Sequence, residues 1–177
     1  GPEENYIDRN HGTMVGIYQT TADKMYFNYV RPQENGHKTE TRWLALTDKN
    51  GEGLLFIADS NFMEFNVSRN RVEDFDSEES NRAYQWQNFT KDEPLDPDKA
   101  KNRKPKQTHV NDIFPRNFVE VCLDHRMMGV AGDDSWGSQP YLKYRLPTNK
   151  DYHWSFTILP IKNNTEINEK LRYQYLP

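Results

Sequence analysis

Several short segments of the chain alternate apolar and polar residues with a period of two. Met63–Ser68 interleaves the two classes strictly, which is typical of a half-buried β-strand whose successive side chains point to opposite faces. The segment 152–158 repeats the pattern with aromatic residues on one side, and 42–47 and 53–58 are more uniformly apolar. These four segments are therefore predicted strands. The same criteria predict three more strands, at 14–19, 118–124 and 141–146.

The predicted strands are separated by turn-forming residues, and helical periodicity is almost absent. Two of them are joined through Asn50-Gly51, a pair that favours a tight hairpin turn. Short strands connected in this way indicate antiparallel sheets that pack face to face. We therefore predict an all-β fold, an antiparallel β-sandwich that occupies 1–177 as a single domain.

Two segments depart from this pattern. The segment 70–106 is dense in Asp, Glu, Lys, Asn and Pro, and we predict a long irregular insertion there, holding one short helix. Its basic run 99–106 is interpreted as a solvated loop rather than a phosphate-binding patch. The aromatic residues expected to dock the insertion are Tyr84, Trp86 and Phe89. The tail 162–177 predicts a short C-terminal helix from the four-residue spacing of Ile167, Leu171 and Tyr175.

Composition excludes several classes of partner. The 177 residues carry a net charge of −4 with both signs mixed, so the charge pattern indicates no nucleic acid and no membrane. No apolar run is long enough to span a bilayer, and a single cysteine, Cys122, excludes an intrachain disulfide. The chain begins at Gly1 rather than Met and shows no secretory signal pattern. We therefore expect it to be a segment of a longer protein.

The segment 127–137 combines glycines, paired carboxylates and a tryptophan within eleven residues. Gly129 and Gly132 permit close approach of the backbone, which predicts a shaped loop rather than a strand. Trp136, near the end of this loop, offers either a flat apolar face for a sugar ring or a plug for the core beneath. The residues of the loop by themselves favour the plug.

The polar residues of this loop do not form a recognisable catalytic set. Asp133 and Asp134 are sequence neighbours whose side chains diverge, whereas a glycosidase needs two carboxyl groups about 5–9.5 Å apart across the scissile bond. We expect both to accept hydrogen bonds from loop N–H groups or to pair with an arginine, with Ser135 as another hydrogen-bonding loop residue. No metal site is expected, because three adjacent residues cannot surround an ion and no histidine pair has zinc-ligand spacing.

Four ordered blocks of the sequence resemble the conserved stretches of one family. Residues 1–9 resemble GPxENYxDR, and residues 29–36 resemble YxRPQENG. Residues 41–47 resemble TRWLxLT, and residues 129–137 resemble GxGGDDSWG. Together the blocks resemble the C-terminal small-chain domain (domain 5) of the lacZ-type bacterial β-galactosidases, glycoside hydrolase family 2.

The resemblance implies a parent of five domains whose two catalytic glutamates lie on a central barrel outside this chain. It implies that the chain forms the later part of an antiparallel supersandwich shaped like galactose mutarotases. It also implies that Trp136 reaches the active site, which reverses the preference for a core plug. Parents of this family often use Mg and Na or K, bound elsewhere, so no cofactor is expected in this chain. Ala131 replaces a family glycine, and the insertion and tail are not predicted by the resemblance.

We accordingly expect the non-catalytic C-terminal domain of a retaining β-galactosidase acting on terminal β-D-galactosides. The chain would be inactive alone, with Trp136 binding substrate on a loop shaped by Gly129, Gly132, Asp133, Asp134 and Ser135. Alternative hypotheses are an independent carbohydrate-binding module of mutarotase-like fold and a purely structural or assembly domain. The expected partners are the galactoside and the missing catalytic domain. Uncovered sheet edges also predict self-association, unless the insertion and tail cover them.

Overall fold

The computed structural model describes residues 2–29, 35–59, 61–75, 113–130, 132–134 and 136–174. Strands and helices within these ranges are β1 (Lys38–Thr41), β2 (Trp43–Thr47), β3 (Gly53–Ala58), β4 (Met63–Ser68), α1 (Val72–Phe75), β5 (Glu120–Asp124), β6 (Phe156–Ile161) and α2 (Thr165–Gln174). Two 3₁₀ turns lie at Ala22–Met25 and Leu142–Tyr144. In this part of the chain no helix is both long enough and apolar enough to cross a membrane.

The described strands form two three-stranded sheets, ordered β1-β4-β5 and β2-β3-β6. In the second sheet, β3 is central and runs antiparallel to both neighbours, so that Phe56 lies opposite Leu44 on β2 and Ile158 on β6. Because side chains alternate along each strand, Leu55 and Ile57 of β3 point to the other face. Both faces of this sheet are therefore apolar.

One apolar face of the second sheet packs against the first sheet. Phe56 and Ala58 from β3 form a buried cluster with Met63 from β4, and Leu123 from β5 packs against it. Met63 is fully buried, at 0% exposure. This face-to-face packing confirms the predicted all-β antiparallel β-sandwich.

The opposite face of the second sheet is covered by helix α2. Ile167 and Leu171, one helical turn apart, pack against a cluster formed by Leu55, Ile57 and Ile161. This confirms the short helix predicted in the tail, since the four-residue spacing places both side chains on one helix face. Tyr175, the third residue of the pattern, lies outside the described residues.

The alternating pattern located most strands and misplaced others. It predicted β3 and β4 at their observed bounds and the ends of β2 and β5 correctly, but it began these two strands one and two residues too early. It began β6 four residues too early and ended it three residues too early. Two predictions were wrong: 14–19 is an extended segment without ladder bonds, and 141–146 contains the 3₁₀ turn Leu142–Tyr144. Met14 and Val15 are 78% and 84% exposed. Alternation alone therefore does not make a strand when the side chains do not enter a core.

Strand β1 was missed because its sequence, Lys38-Thr39-Glu40-Thr41, has no apolar alternation. It is specified instead by its neighbour β4, opposite which Lys38 faces Phe65 and Thr41 faces Met63. The register shifts by one residue between these two pairs, and Glu40 adopts a positive φ of 51°. This is a β-bulge, which arises from the pairing with β4 and is not predicted by the local sequence.

The predicted hairpin joins β2 and β3, but its connection is longer than a tight two-residue turn. Thr47 pairs with Gly53, so five residues intervene. The carboxylate of Asp48 accepts the N–H groups of Asn50 and Glu52, at 2.8 and 3.0 Å. Gly51 takes a positive φ of 86°, so the Asn-Gly pair marks the turn while Asp48 sets its length.

The chain divides into two compact units, one made of 1–18, 37–66 and 122–177 and the other of 19–36 and 67–121. In the second unit, Asn70 Nδ2 donates to the carbonyl of Phe114 at 2.8 Å, and Arg69 Nε donates to the carbonyl of Arg116 at 2.7 Å. Of the predicted insertion 70–106, the described part is residues 70–75, which include α1. Its docking residues Tyr84, Trp86 and Phe89 lie outside the described ranges. The single-domain assignment stays a prediction.

Replacing Leu171 by Ala is expected to lower the free energy of unfolding by about 1–2 kcal/mol. The substitution removes a half-buried side chain that packs against the cluster of Leu55, Ile57 and Ile161. Urea unfolding monitored by circular dichroism measures the change. Asn168→Ala, on the exposed side of the same helix, is the control and should not destabilise. Equal losses in both variants would show that α2 contributes through helix formation and not through packing.

Candidate functional site

The loop 127–137 follows β5 after two residues and presents Trp136 to solvent. The Trp136 side chain is 94% exposed, more than any other large apolar side chain in the described part of the chain. It therefore does not plug the core of this structure. Ala131 and Ser135 lie outside the described residues, so the loop-shaping role of Ser135 stays a prediction.

The backbone of Trp136 is held by the carboxylate two residues before it. Asp134 Oδ1 accepts the N–H of Trp136 at 2.7 Å and the N–H of Ser138 at 3.4 Å. Such a side-chain-to-backbone turn fixes the direction of the chain without any contact from the indole. Hydrogen bonds from the Ser138 side chain and from the N–H groups of Trp136 and Ser138 lower the pKa of Asp134.

The second carboxylate of the pair closes the loop onto the following turn. Asp133 Oδ1 accepts the hydroxyl of Tyr141 at 2.6 Å, and this hydrogen bond, with the negative charge of Asp133, raises the pKa of Tyr141. Gly132 lies so close to Ser138 that a Cβ there would approach its carbonyl oxygen to 2.1 Å. A side chain at Gly132 would therefore push the loop open.

The start of the loop is fixed by two backbone donors. The Gly129 N–H donates to the carbonyl of Tyr144 at 2.8 Å, and a Cβ at Gly129 would lie 2.9 Å from both Asp8 Oδ2 and Tyr144 Cβ. The Met127 N–H donates to Glu64 Oε2 at 2.6 Å. Glycine at 129 thus allows the loop to approach the N-terminal block of the chain closely.

Glu64 and His37 form a buried pair behind the loop that sequence analysis missed. His37 Nε2 lies 2.9 Å from Glu64 Oε2, and the two side chains are 2% and 5% exposed. The alternating pattern predicts a solvent-facing Glu64, but both faces of β4 carry buried residues. The pKa of the nearby Asp124 is raised, mainly by burial. The electrostatic interaction with His37 opposes this rise and that with Glu64 adds to it, so the three groups are coupled.

The described residues of the loop present an aromatic side chain to solvent. Asp133 and Asp134 each use an oxygen to shape the loop. Among the described residues, no three His, Cys, Asp or Glu side chains are grouped so as to hold a metal ion. The candidate site is therefore the exposed indole and the hydrogen bonds that orient its loop.

A family model described as β-galactosidase small chain matches residues 1–158. The chain belongs to this family. Two of the four blocks of the resemblance approach each other at the loop, because a Cβ at Gly129 of the fourth block would lie 2.9 Å from Asp8 Oδ2 of the first. Tyr6 of the first block also stacks on His37.

Three bacterial relatives match most of this small-chain segment. It is 28% identical over 164 residues to a β-galactosidase of Priestia megaterium, 29% over 161 residues to one of Streptococcus thermophilus, and 30% over 161 residues to one of Lactobacillus delbrueckii subsp. bulgaricus. Each match covers 91% of this chain and 13% of the relative. The segment therefore spans about an eighth of the length of these β-galactosidases.

Asp134→Ala is expected to lower the free energy of unfolding at neutral pH, and this difference should vanish in acid. Folding lowers the pKa of Asp134, so its carboxylate contributes stability above the unfolded-state pKa of about 3.9. That contribution is lost as the pH falls through the lower folded-state pKa. Urea unfolding of both proteins between about pH 7 and pH 2.5 measures the difference.

The control for this experiment is Asp151→Ala, which removes an exposed carboxylate outside the loop. Its effect on the free energy of unfolding should stay small across the same pH range. If the Asp134→Ala difference did not change with pH, the carboxylate would not be holding the loop in its ionised form.

Proposed function

We propose that this chain is a non-catalytic part of a β-galactosidase that hydrolyses terminal β-D-galactosides with retention. In this proposal, Trp136 completes the wall of an active site whose catalytic carboxylates lie elsewhere in the full-length enzyme. The observation that carries the proposal is the 94% exposure of an indole whose backbone is nevertheless fixed by Asp134. Membership of the β-galactosidase small-chain family supports the choice of enzyme.

The physical case for a sugar-facing role rests on the cost of exposing a tryptophan. Burying an aromatic side chain of this size removes about 150–250 Å² from water, so an indole left in solvent forgoes several kcal/mol of hydrophobic stabilisation at about 25 cal/mol per Å². The loop nevertheless directs Trp136 outward through Asp134. A rigid apolar face with two rotatable side-chain bonds is well suited to lie against the C–H face of a pyranose ring.

The case against catalysis by this chain rests on its carboxylates. A glycosidase places one carboxyl group on each side of the scissile bond, whereas Asp133 and Asp134 are adjacent and each accepts hydrogen bonds within or beside the loop. The part of each relative that matches this segment is also only 13% of that relative. The proposed contribution of Trp136 is therefore orientation of the bound sugar or leaving group.

We also propose that the catalytic part of the same polypeptide is the partner of this segment. The sandwich leaves apolar side chains exposed on the second sheet, with Leu54 at 43% and Ile158 at 49%. Exposed apolar surface of this kind favours association. A chain separated from the rest of the enzyme would therefore be expected to self-associate.

Trp136→Ala in the full-length enzyme is expected to raise KM for a galactoside about tenfold, which corresponds to about 1.4 kcal/mol. The thermal unfolding temperature should not change, because the side chain makes little contact within this chain. Steady-state kinetics with lactose, together with a transglycosylation acceptor, measure the effect. Trp136→Phe should recover part of it, since a smaller aromatic face remains.

The control for this experiment is Leu142→Ala, which removes another exposed apolar side chain, at 81%, from the turn beside the loop. It should leave KM unchanged. Normal kinetics of the Trp136→Ala enzyme would remove Trp136 from the active site and would favour a structural role for this segment.

The alternative, an independent carbohydrate-binding module, is favoured by the same exposed indole, which needs no second domain to contact a sugar. Titration of the 177-residue chain with galactose or lactose, followed by tryptophan fluorescence, separates the two hypotheses. If other domains complete the sugar site, the isolated chain should bind neither sugar below tens of millimolar, because the indole face alone buries too little of the ligand. Affinity near micromolar would establish the module instead.

A further inference from the structure

The carboxylate of Glu64 is buried beside β4 and accepts two hydrogen bonds at one oxygen. His37 Nε2 approaches Oε2 to 2.9 Å, and the Met127 N–H donates to the same atom at 2.6 Å. The Glu64 residue is 4% exposed. Short hydrogen bonds to a buried carboxylate are among the stronger polar contacts in proteins, so Met127 is held firmly against β4.

His37 is itself fixed in place from the N-terminal block. Its ring stacks on Tyr6 with centroids 5.7 Å apart and planes 11° from parallel, and its carbonyl accepts the N–H of Asn5 at 2.9 Å. Its Nδ1 atom is buried without a hydrogen-bond partner in the described structure. The single ring hydrogen bond of His37 therefore goes to Glu64, and because a carboxylate only accepts, Nε2 carries the proton.

The hydrogen bond of Met127 connects the loop to a strand, whereas the other contacts of the loop connect it to the turn that follows. Gly129 bonds to Tyr144 and Asp133 to Tyr141, so these contacts tie the loop to the turn that follows it. The Glu64 contact ties the first residue of the loop to a central strand of the sandwich. It fixes the backbone position at which the loop that carries Trp136 begins.

We propose that Glu64, oriented by His37, is a positioning residue for Trp136. Its consequence for the enzyme rests on the proposed function, whereas its effect on the loop does not. Removing the carboxylate leaves the Met127 N–H and the His37 Nε2–H buried without acceptors, and the backbone must shift to hydrate them. A displacement of about 1 Å at a substrate-positioning group is enough to weaken catalysis measurably.

The first test measures the loop itself by hydrogen exchange and mass spectrometry on the full-length protein. Glu64→Ala is expected to speed amide exchange about tenfold or more in peptides covering 127–137. The control is Leu55→Ala, a buried change on the face under α2, which should destabilise the sandwich without accelerating exchange selectively in this loop. Unchanged loop exchange in Glu64→Ala, or an equal increase in Leu55→Ala, would overturn the proposal.

The second test is a double-mutant cycle on galactoside hydrolysis. Glu64→Ala is expected to raise KM about fivefold, and to have no further effect in a Trp136→Ala background, because both changes act through the indole. Glu64→Gln should retain near-normal KM, since its amide oxygen can accept both donors. Losses that add across the cycle would overturn the assignment by showing that Glu64 acts on stability alone.

The two tests separate failure of this inference from failure of the proposed function. If Trp136→Ala leaves KM unchanged, the proposed function fails, and the exchange experiment still decides whether Glu64 positions the loop. If Trp136→Ala raises KM while Glu64→Ala alters neither exchange nor KM, the proposed function stands and the positioning role of Glu64 is excluded.

Discussion

A buried carboxylate on β4 connects the strands of the sandwich to its exposed loop. Glu64 on β4 accepts the ring N–H of His37 and the backbone N–H of Met127. A buried polar side chain is costly unless it is hydrogen-bonded. Once it is bonded, separating either donor leaves an unsatisfied buried group. This requirement makes the position of Met127 a consequence of the core rather than of the loop.

The loop beyond Met127 is organised by short-range contacts of its own polar residues. Asp134 holds the backbone of Trp136, and Asp133 holds the hydroxyl of Tyr141. The indole itself contributes little to the structure, since 94% of it is exposed. A folded protein retains such a side chain in water at a cost in stability, which is common at functional sites. The segment belongs to the β-galactosidase small-chain family, and this membership is why we propose a sugar as the ligand of the exposed indole.

Local sequence encodes the strands whose side chains enter the core, but not every strand of the sheets. Met63–Ser68 and Gly53–Ala58 were predicted at their observed bounds because both pack apolar side chains into the core. The segment 14–19 has a similar pattern and forms no strand, and the polar β1 forms one by pairing with β4. Whether a segment becomes a strand thus depends on its pairing partner, which for β1 is β4, a strand distant in sequence.

The sequence by itself determined the sandwich, the short C-terminal helix and the family, because periodicity and four ordered blocks are local properties of the chain. It also singled out the glycines, the paired carboxylates and Trp136 of one loop. Only the tertiary structure decided that the indole points outward and that Glu64 and His37 lie behind it. Burial and hydrogen-bond partners depend on contacts between residues that are 27 and 63 positions apart in the chain. Such distant contacts form only when β1, β4 and β5 come together in one sheet.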